Sequence, residues 1–489
     1  MMSREAPLQN RLFEPQDLGA RIPDDHLLRR ILETIDLDFV YDAVEPSYGA
    51  VGQGSVPPTV ILKSMLLMVL YKVESEREFF RELPMRIDWL WFLGYDLFST
   101  IPNHSVLSKA RRRWGVTVFE DLFGRTIRLC LEAHLISGQD LLADSSLIDA
   151  NASVDSLFVA QTVAATASSK LDEECEKDRV DPEDPTSSTG TTGSTGSEPK
   201  YRSTTDPDAT GAKRRGETRV RPRYQTHRAI DSEHGVITAT CIGPGHENEA
   251  HRLEELVMQH AERTGIRANT VTADSKYGTA DNLEFCEWNH ITAFISPYRS
   301  NFTKPQAGWF SECCFRYDAA NDCFICPAGQ MLTRSQYRPD KDAYRYRASR
   351  KVCQGCVARA MCTSATTGRS INRQVRQPIL DRATARIKTA EGKAKAKLRR
   401  WRMEGSFARS VRFGYKRARA RGLRNMRIQD YLVAAAQNLL ILLGATARIR
   451  ARSIPRLPTH VRAWSLRMAQ QLARWVPIGA GPTPCLRVA

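Results

Sequence analysis

What this chain of 489 residues lacks narrows it first. It has no unbroken apolar run of about 20 residues, the length a membrane-spanning helix needs. The longest apolar stretch near the end, 431–443, is interrupted by Gln437 and Asn438. The N-terminus, MMSREAPLQNRLFEPQ, has no apolar core of a secretion signal. No internal repeat is visible. A soluble intracellular protein with no membrane partner is therefore expected. Acids are scarce in one region. From 371 to 470 there are 25 lysines and arginines against four acids (Asp381, Glu391, Glu404, Asp430), a balance of +21. The whole chain carries +16, so the remainder is net acidic by about five. So dense a basic block faces phosphate, because each phosphate neutralised releases condensed counterion. The alternative is a solvated helix face.

At 42% apolar content the chain can bury more than one core, which suggests roughly two to four domains. Residues 24–135 carry apolar side chains at helical spacing, with Pro57 and Pro58 at a helix start. In IPNHSVLSKARRRWG, Ser105 is a candidate N-cap. The helix after it bears Lys109, Arg111, Arg112 and Arg113, as a helix-turn-helix reader of DNA would, or simply a wet basic face. From Leu141 short alternating runs take over. LLADSSLIDANAS reads as two strands around a turn, and RYQTHRAIDSEHGVITATCIG as a hairpin. GHENEAHRLEELVMQHAERTG reads as an amphipathic helix, NTVTAD as a buried strand, TADNLEFCEWNH as a helix and ITAFISPY as a strand. A hairpin followed by alternating strands and helices implies a mixed α/β sheet. The Ser/Thr/Gly/Pro tract within 173–217 cannot bury a core and reads as a disordered loop. Residues 301–370 hold the cysteines. The stretch 373–409 is basic and helical, IQDYLVAAAQNLLILLGA is a core helix, and the tail from Thr446 is basic and loosely ordered.

Three acids stand where chemistry on a phosphodiester needs them. Mg²⁺ takes hard oxygen ligands, and two ions about 3.5–4 Å apart activate the attacking oxygen and stabilise the leaving one. Asp144 ends the apolar run LLA and Asp274 ends NTVTA, each directly after a strand-like stretch. An Asp in that place is also a common turn or helix cap. In AKLRRWRMEGSFARS, Glu404 is the only acid in a basic helix, with Lys397 and Arg400 on one face with it. An ordinary ion pair with those cations is the alternative.

The cysteines form a second group. There are 12 in the chain, and Cys323, Cys326, Cys353, Cys356 and Cys362 fall within forty residues. Without a secretion signal this grouping points to a metal rather than to disulfides. Cys326, Cys353, Cys356 and Cys362 give C-x26-C-x2-C-x5-C, and Cys323 makes a further CxxC, so five thiols compete for four places. Four thiolates make a closed structural Zn²⁺ site with no position open to water. His227, His234, His246 and His251 stand at no convincing ligand spacing.

Several ordered strings carry a resemblance: IPNHSVLSKARRRWG, LADSSLIDANAS, STTDPDA, YQTHRAIDSEHGVITAT, TADSKYG, CPAGQML, and RRWRMEGSFA followed by RARGLRNMRIQDYLVAAAQNLL. Across roughly 15–445 the chain resembles the DDE transposases of bacterial insertion sequences, in the branch with a cysteine-rich insertion before the last catalytic acid. The resemblance implies an α/β ribonuclease-H-like catalytic domain with a mixed sheet, an all-helical N-terminal DNA-binding domain and a small zinc insertion. It places the three acids on Asp144, Asp274 and Glu404, holding two Mg²⁺ or Mn²⁺. The branch often has Tyr where Lys397 stands, and Asp-Gly-Thr where this chain has Asp-Ser-Ser. Asp149 is a rival for the first ligand. Cys326 lies in the recurrent Cys-Pro-x-Gly string, which leaves Cys323 as a spare. The implied partners are double-stranded DNA at the element's ends and at the target, and further copies of the chain, as a dimer or larger. The implied location is the bacterial cytoplasm at the nucleoid.

The expected divisions are 1–135, 136–300, 301–370, 371–445 and a basic tail 446–489. The expected activity is metal-dependent cleavage at terminal inverted repeats and transfer of the freed 3′-OH to target DNA. Lys397 and Arg400 would hold backbone phosphates, and Trp401 either stacks on an unpaired base or packs in the core. Two other readings remain. One is a catalytically idle, domesticated DNA-binding regulator; the other is a nuclease of the same fold without strand transfer.

Overall fold

The structure is a computed structural model that describes residues 17–49, 54–159, 199–298 and 309–453. The chain divides into two compact units, Met1–Leu442 and Leu443–Ala489. The described part of the second is the end of one helix, and the rest of the basic tail lies outside the described residues.

The N-terminal part is helical, as its spacing predicts: α1 (Leu18–Arg21), α2 (Leu27–Thr34), α3 (Phe39–Val44), α4 (Pro58–Leu70), α5 (Glu76–Glu82), α6 (Ile87–Leu93), α7 (Ser105–Trp114) and α8 (Thr117–Glu132). Pro58 sits at the first position of α4, where its missing N–H costs nothing. Almost every residue of α4 is buried, and it packs on α3, α6 and α7. Trp89, fully buried on α6, stacks on Phe79 at 5.2 Å. Residues 94–104 separate α6 from α7. A helix-turn-helix uses about three or four residues there, so that expectation is not met. The N-cap differs too: Asn103 Oδ1, not Ser105, accepts a backbone N–H, that of Ser105 at 2.9 Å.

The main sheet holds β1 (Asp140–Asp149), β2 (Leu157–Val159), β3 (Tyr201–Ser203), β4 (Thr210–Ala212), β5 (Arg221–Asp231), β6 (Ile237–Pro244), β7 (Thr270–Thr272) and β8 (Thr292–Phe294). β5 and β6 are antiparallel neighbours, β1 runs antiparallel to β5, and β7 and β8 run parallel to β1. The central order is thus β6-β5-β1-β7-β8. LLADSSLID is one continuous strand, not two around a turn. Pairing with β5 continues through Ser145 and Ser146, so no turn can form there. Helices α9 (Leu253–Thr264) and α10 (Ala280–Trp288) cover the sheet, burying Leu256 and Leu283 in one cluster with Leu141, Ala143, Val271 and Ala293.

Residues 173–198 of the expected loop lie outside the described residues, and 199–217 are ordered, contrary to expectation. Composition misled because one buried carboxylate organises the segment. Asp206 accepts hydrogen bonds from Tyr224 Oη (2.6 Å) and Gly422 N (3.1 Å). Strands β3 and β4 then pair into the sheet.

The cysteine-rich segment is a second, wholly antiparallel sheet of β9 (Arg316–Asp318), β10 (Cys323–Ile325), β11 (Met331–Arg338), β12 (Ala343–Arg347) and β13 (Ser370–Gln374), joined by α11 (Arg350–Gln354). It has a core of its own in Phe315, Phe324, Leu332, Tyr346, Ala348 and Ile371. The basic stretch after it is two helices, α12 (Gln377–Lys388) and α13 (Ala390–Arg412). Thr389 caps α13 through Gly392 N at 3.0 Å. The corner is so tight that a Cβ on Gly392 would lie 2.4 Å from Arg386 O, so only glycine fits.

Helix α14 (Leu423–Ser453) contains, at Leu423–Thr446, a stretch long and apolar enough to cross a membrane, which corrects the expectation that none exists. Most of that stretch is buried within the protein. The two polar residues in its apolar run pin it in place. Asn438 exchanges two hydrogen bonds with the backbone of Ile237 on β6, each 2.9 Å, and Gln437 donates to Ser406 of α13 at 2.9 Å.

Candidate catalytic and metal-binding sites

Strand register brings the first two acids together. β1 and β7 pair as Asp140↔Thr270, Leu141↔Val271 and Leu142↔Thr272. Two residues beyond the last of these pairs stand Asp144, still within β1, and Asp274, just past the end of β7, which carries the two acids to the same level. Each carboxylate accepts its own following backbone N–H, from Ser145 at 2.9 Å and Ser275 at 2.7 Å. Asp274 also caps the short 3₁₀ turn Ser275–Tyr277. One guanidinium spans the pair: Arg399 of α13 lies 2.7 Å from Asp144 and 4.0 Å from Asp274. Burial pushes the Asp144 carboxyl up to about 6, opposed by Arg399 and reinforced by the like charges of Asp274 and Glu249.

Glu404 is not in this group. On α13 it lies five residues beyond Arg399, about 140° round the helix at 3.6 residues per turn. Glu404 is exposed, as are Lys397, Arg400 and Trp401, and the four form one stripe. The face toward the sheet is instead Lys395, Arg399, Met403 and Ser406. Among the described residues Glu404 makes no ion pair with Lys397 or Arg400. Trp401 is 63% exposed, which rules out the core alternative, and Arg402 lies over its ring at 4.6 Å. Among the described residues no three His, Cys, Asp or Glu side chains are gathered as a ready-made metal site.

Asp149 is no rival. It points to the other side of β1 and holds the buried Arg223 at 2.7 Å and Arg214 at 3.1 Å. Of the basic residues on α7, Lys109, Arg112 and Arg113 are exposed, with Arg113 over the Tyr48 ring at 4.8 Å. Arg111 is withdrawn into an ion pair with Glu76.

Sequence reading missed three groups beside the aspartates. Arg399 was passed over because its neighbours Lys397 and Arg400 fitted the family spacing. Glu249, 8% exposed, receives Lys276 Nζ at 2.5 Å. His227 is fully buried and only partly satisfied. Its Nδ1 meets Tyr277 Oη at 3.0 Å, but its buried Nε2 has no partner, and burial lowers its pKa to about 3. The signal for all three was proximity in the fold, not spacing along the chain.

The four expected zinc ligands border one pocket, although among the described residues no three of them are gathered closely enough to form a metal site. Cys326, Cys353, Cys356 and Cys362 line one small apolar pocket with Phe315, Leu332 and Arg369. Burial raises the Cys362 thiol, and the nearby thiols Cys353, Cys326 and Cys356 raise it further against Arg369. Cys326 opens a turn in which Gly329 has φ +75° and Gln330 N donates to the Cys326 sulfur at 3.3 Å. Cys323 lies on β10 and is buried apart from this pocket. Four thiols are the donor chemistry that a structural zinc takes, but the cysteines are not drawn together as a formed site.

Comparison with known families gives two matches. Residues 16–113 match a family described as a transposase domain (DUF772). Residues 325–443 match a family described as a transposase DDE domain. The second stretch includes Cys326, Cys353, Cys356, Cys362 and Glu404, but neither aspartate. Each match spans less than half of the chain, and together they support a DNA transposase of the DDE type in general. No curated protein and no solved structure matches.

Proposed function

We propose that the protein binds the terminal inverted repeats of an insertion sequence, cleaves the ends by metal-dependent hydrolysis and transfers the freed 3′-OH to target DNA. The observation that carries this is the pair Asp144 on β1 and Asp274 just past the end of the neighbouring parallel strand β7, close enough for one guanidinium to span them. The order β6-β5-β1-β7-β8, with three antiparallel strands beside two parallel ones, supports a ribonuclease-H-like catalytic domain. Both matched families act in the same direction.

Asp144 and Asp274 offer the hard oxygen donors that Mg²⁺ or Mn²⁺ prefers, and they fit. When bound, the ions supply activation of the attacking oxygen and charge stabilisation on the leaving one. Glu404 is the proposed third ligand. It stands on the solvent face of α13, so it joins the aspartates only if that helix turns on its axis. Lys397, Arg400, Lys109, Arg112 and Arg113 present exposed cations to the DNA backbone. Arg111 contributes less, being paired to Glu76. Cys326, Cys353, Cys356 and Cys362 hold one structural Zn²⁺. Pairing two transposon ends requires at least a dimer.

The test uses a labelled duplex of the repeat that flanks the gene, with Mg²⁺. Asp144→Ala, Asp274→Ala and Glu404→Ala should each abolish cleavage and leave binding nearly intact. Retained cleavage in one variant removes that residue from the site. Free 3′ ends with no joined products would mean a nuclease, and binding without any cleavage by wild type would mean a regulator.

A further inference from the structure

Lys276 is the one cation carried on the same turn as Asp274, two residues after it, and it is not among the phosphate contacts expected from sequence. Its side chain is 56% exposed, yet its ammonium is fixed on Glu249 at 2.5 Å. The charges that act on it are Glu249, Asp274 and Asp144. A long, half-exposed lysine ordinarily gives up its rotamer freedom for little return. Here the tether is prepared from below. Asn248 caps the 3₁₀ turn Glu249–Arg252, and Asn282 of α10 donates to both Ala250 O (2.8 Å) and Tyr277 O (2.9 Å). That carboxamide ties the turn carrying Glu249 to the turn carrying Lys276. The carboxyl of Glu249 is itself buried, so its position is set by the fold rather than by solvent.

We propose that Lys276 contacts the scissile DNA phosphate at the Asp144–Asp274 pair, and that Glu249 is the positioning residue that aims it. This rests on the transposase reading given above. The side chain is half exposed beside the two aspartates, whose charges act on it, and it carries the charge that a phosphodiester approaching them needs. Lys397 and Arg400 lie on the other face of α13 from Arg399, so they serve the flanking backbone instead. Glu249 holds Lys276 in place before DNA arrives, which lowers the entropy lost on forming the contact.

The experiment removes the charge from each partner in turn. Binding is measured by fluorescence anisotropy, without added divalent metal, on two duplexes of the flanking repeat. One is unmodified and one has a neutral methylphosphonate at the scissile position alone. Wild type should bind the neutral duplex about tenfold more weakly, the loss of one charge-assisted hydrogen bond. Lys276→Gln should bind both duplexes equally, and Lys276→Arg should recover the discrimination. Glu249→Gln should reduce it and Glu249→Asp should restore it, while a general loss of packing would weaken both duplexes alike. Full discrimination in Lys276→Gln, or none in wild type, overturns the assignment. Cleavage of the unmodified duplex by wild type with Mg²⁺ reports separately on the underlying reading.

Discussion

Replacing Asp430 by Asn tests how the helix that closes the catalytic unit is held. Asp430 of α14 is 2% exposed and Arg228 of β5 is fully buried. The carboxylate accepts from Tyr415 Oη (2.6 Å), Thr240 Oγ1 (2.6 Å), Thr226 Oγ1 (3.2 Å) and Arg228 (3.2 Å). Asn keeps the volume but leaves a buried guanidinium without its counter-charge. Removing one partner of a buried pair costs about 3–5 kcal/mol. Arg228 also sits 5.2 Å from the Tyr415 ring and 5.6 Å from Phe407, and donates to Ser410 at 2.5 Å. Those contacts keep part of its stabilisation, so a loss of about 3 kcal/mol is expected. Against a whole-domain stability of about 5–15 kcal/mol, that is a large fraction. Urea unfolding followed by tryptophan fluorescence should show a lower midpoint at unchanged slope. The double variant Arg228→Met, Asp430→Leu should recover only part of the loss, because it removes the unpaired guanidinium but leaves the Tyr415, Thr226 and Thr240 hydroxyls without the carboxylate that accepts from them. A loss under about 1 kcal/mol for Asp430→Asn would refute the view that this pair, rather than apolar packing alone, fixes α14.

Asp149→Ala should stay active in DNA cleavage but lose about 1–2 kcal/mol in the same unfolding assay, because buried Arg223 is left with only Glu217 and the Ala212 carbonyl as partners. Binding to the repeat duplex should weaken steeply with salt, with a slope of log K against log salt of about −5 if six or so phosphates are neutralised. A slope near −1 would mean that the basic block is a solvated face. Metal analysis should find one Zn²⁺ per chain, kept in Cys323→Ser and lost in Cys356→Ser. Chelation should expose the four thiols to alkylation without unfolding the second sheet, since that sheet has its own apolar core. Absence of zinc in fresh protein would remove the site.

Much of the fold was legible because it rests on local pattern. The apolar spacing of 24–135, the hairpin of β5 and β6, and Asp274 as an acid just past a strand end all read directly from the chain, whereas Asp144 lies in the middle of β1 and not at its end. The errors arose where a distant partner decided the outcome. Ser145 and Ser146 looked like a turn, but β5 pairs straight across them. The 199–217 stretch looked featureless, yet Asp206 meets Tyr224 and Gly422. The helix-turn-helix reading counted charges on α7 and overlooked the long connection before it. Arg399 and Glu404 lie on one basic helix, and sequence alone could not say which of its faces meets the sheet. The grouping of Cys326, Cys353, Cys356 and Cys362 around one pocket was legible by spacing, whereas the apolar core beside them was hidden by a polar composition.

The central claim is that Asp144 and Asp274 are ligands of a catalytic divalent metal. Asp144→Cys and Asp274→Cys test it most directly, with cleavage of the repeat duplex measured in Mg²⁺ and in Mn²⁺. A thiolate is a poor ligand for Mg²⁺ and a better one for the softer Mn²⁺. Both variants should be inactive with Mg²⁺ and regain cleavage with Mn²⁺. Cleavage in Mg²⁺ at the wild-type rate by either variant would contradict the claim.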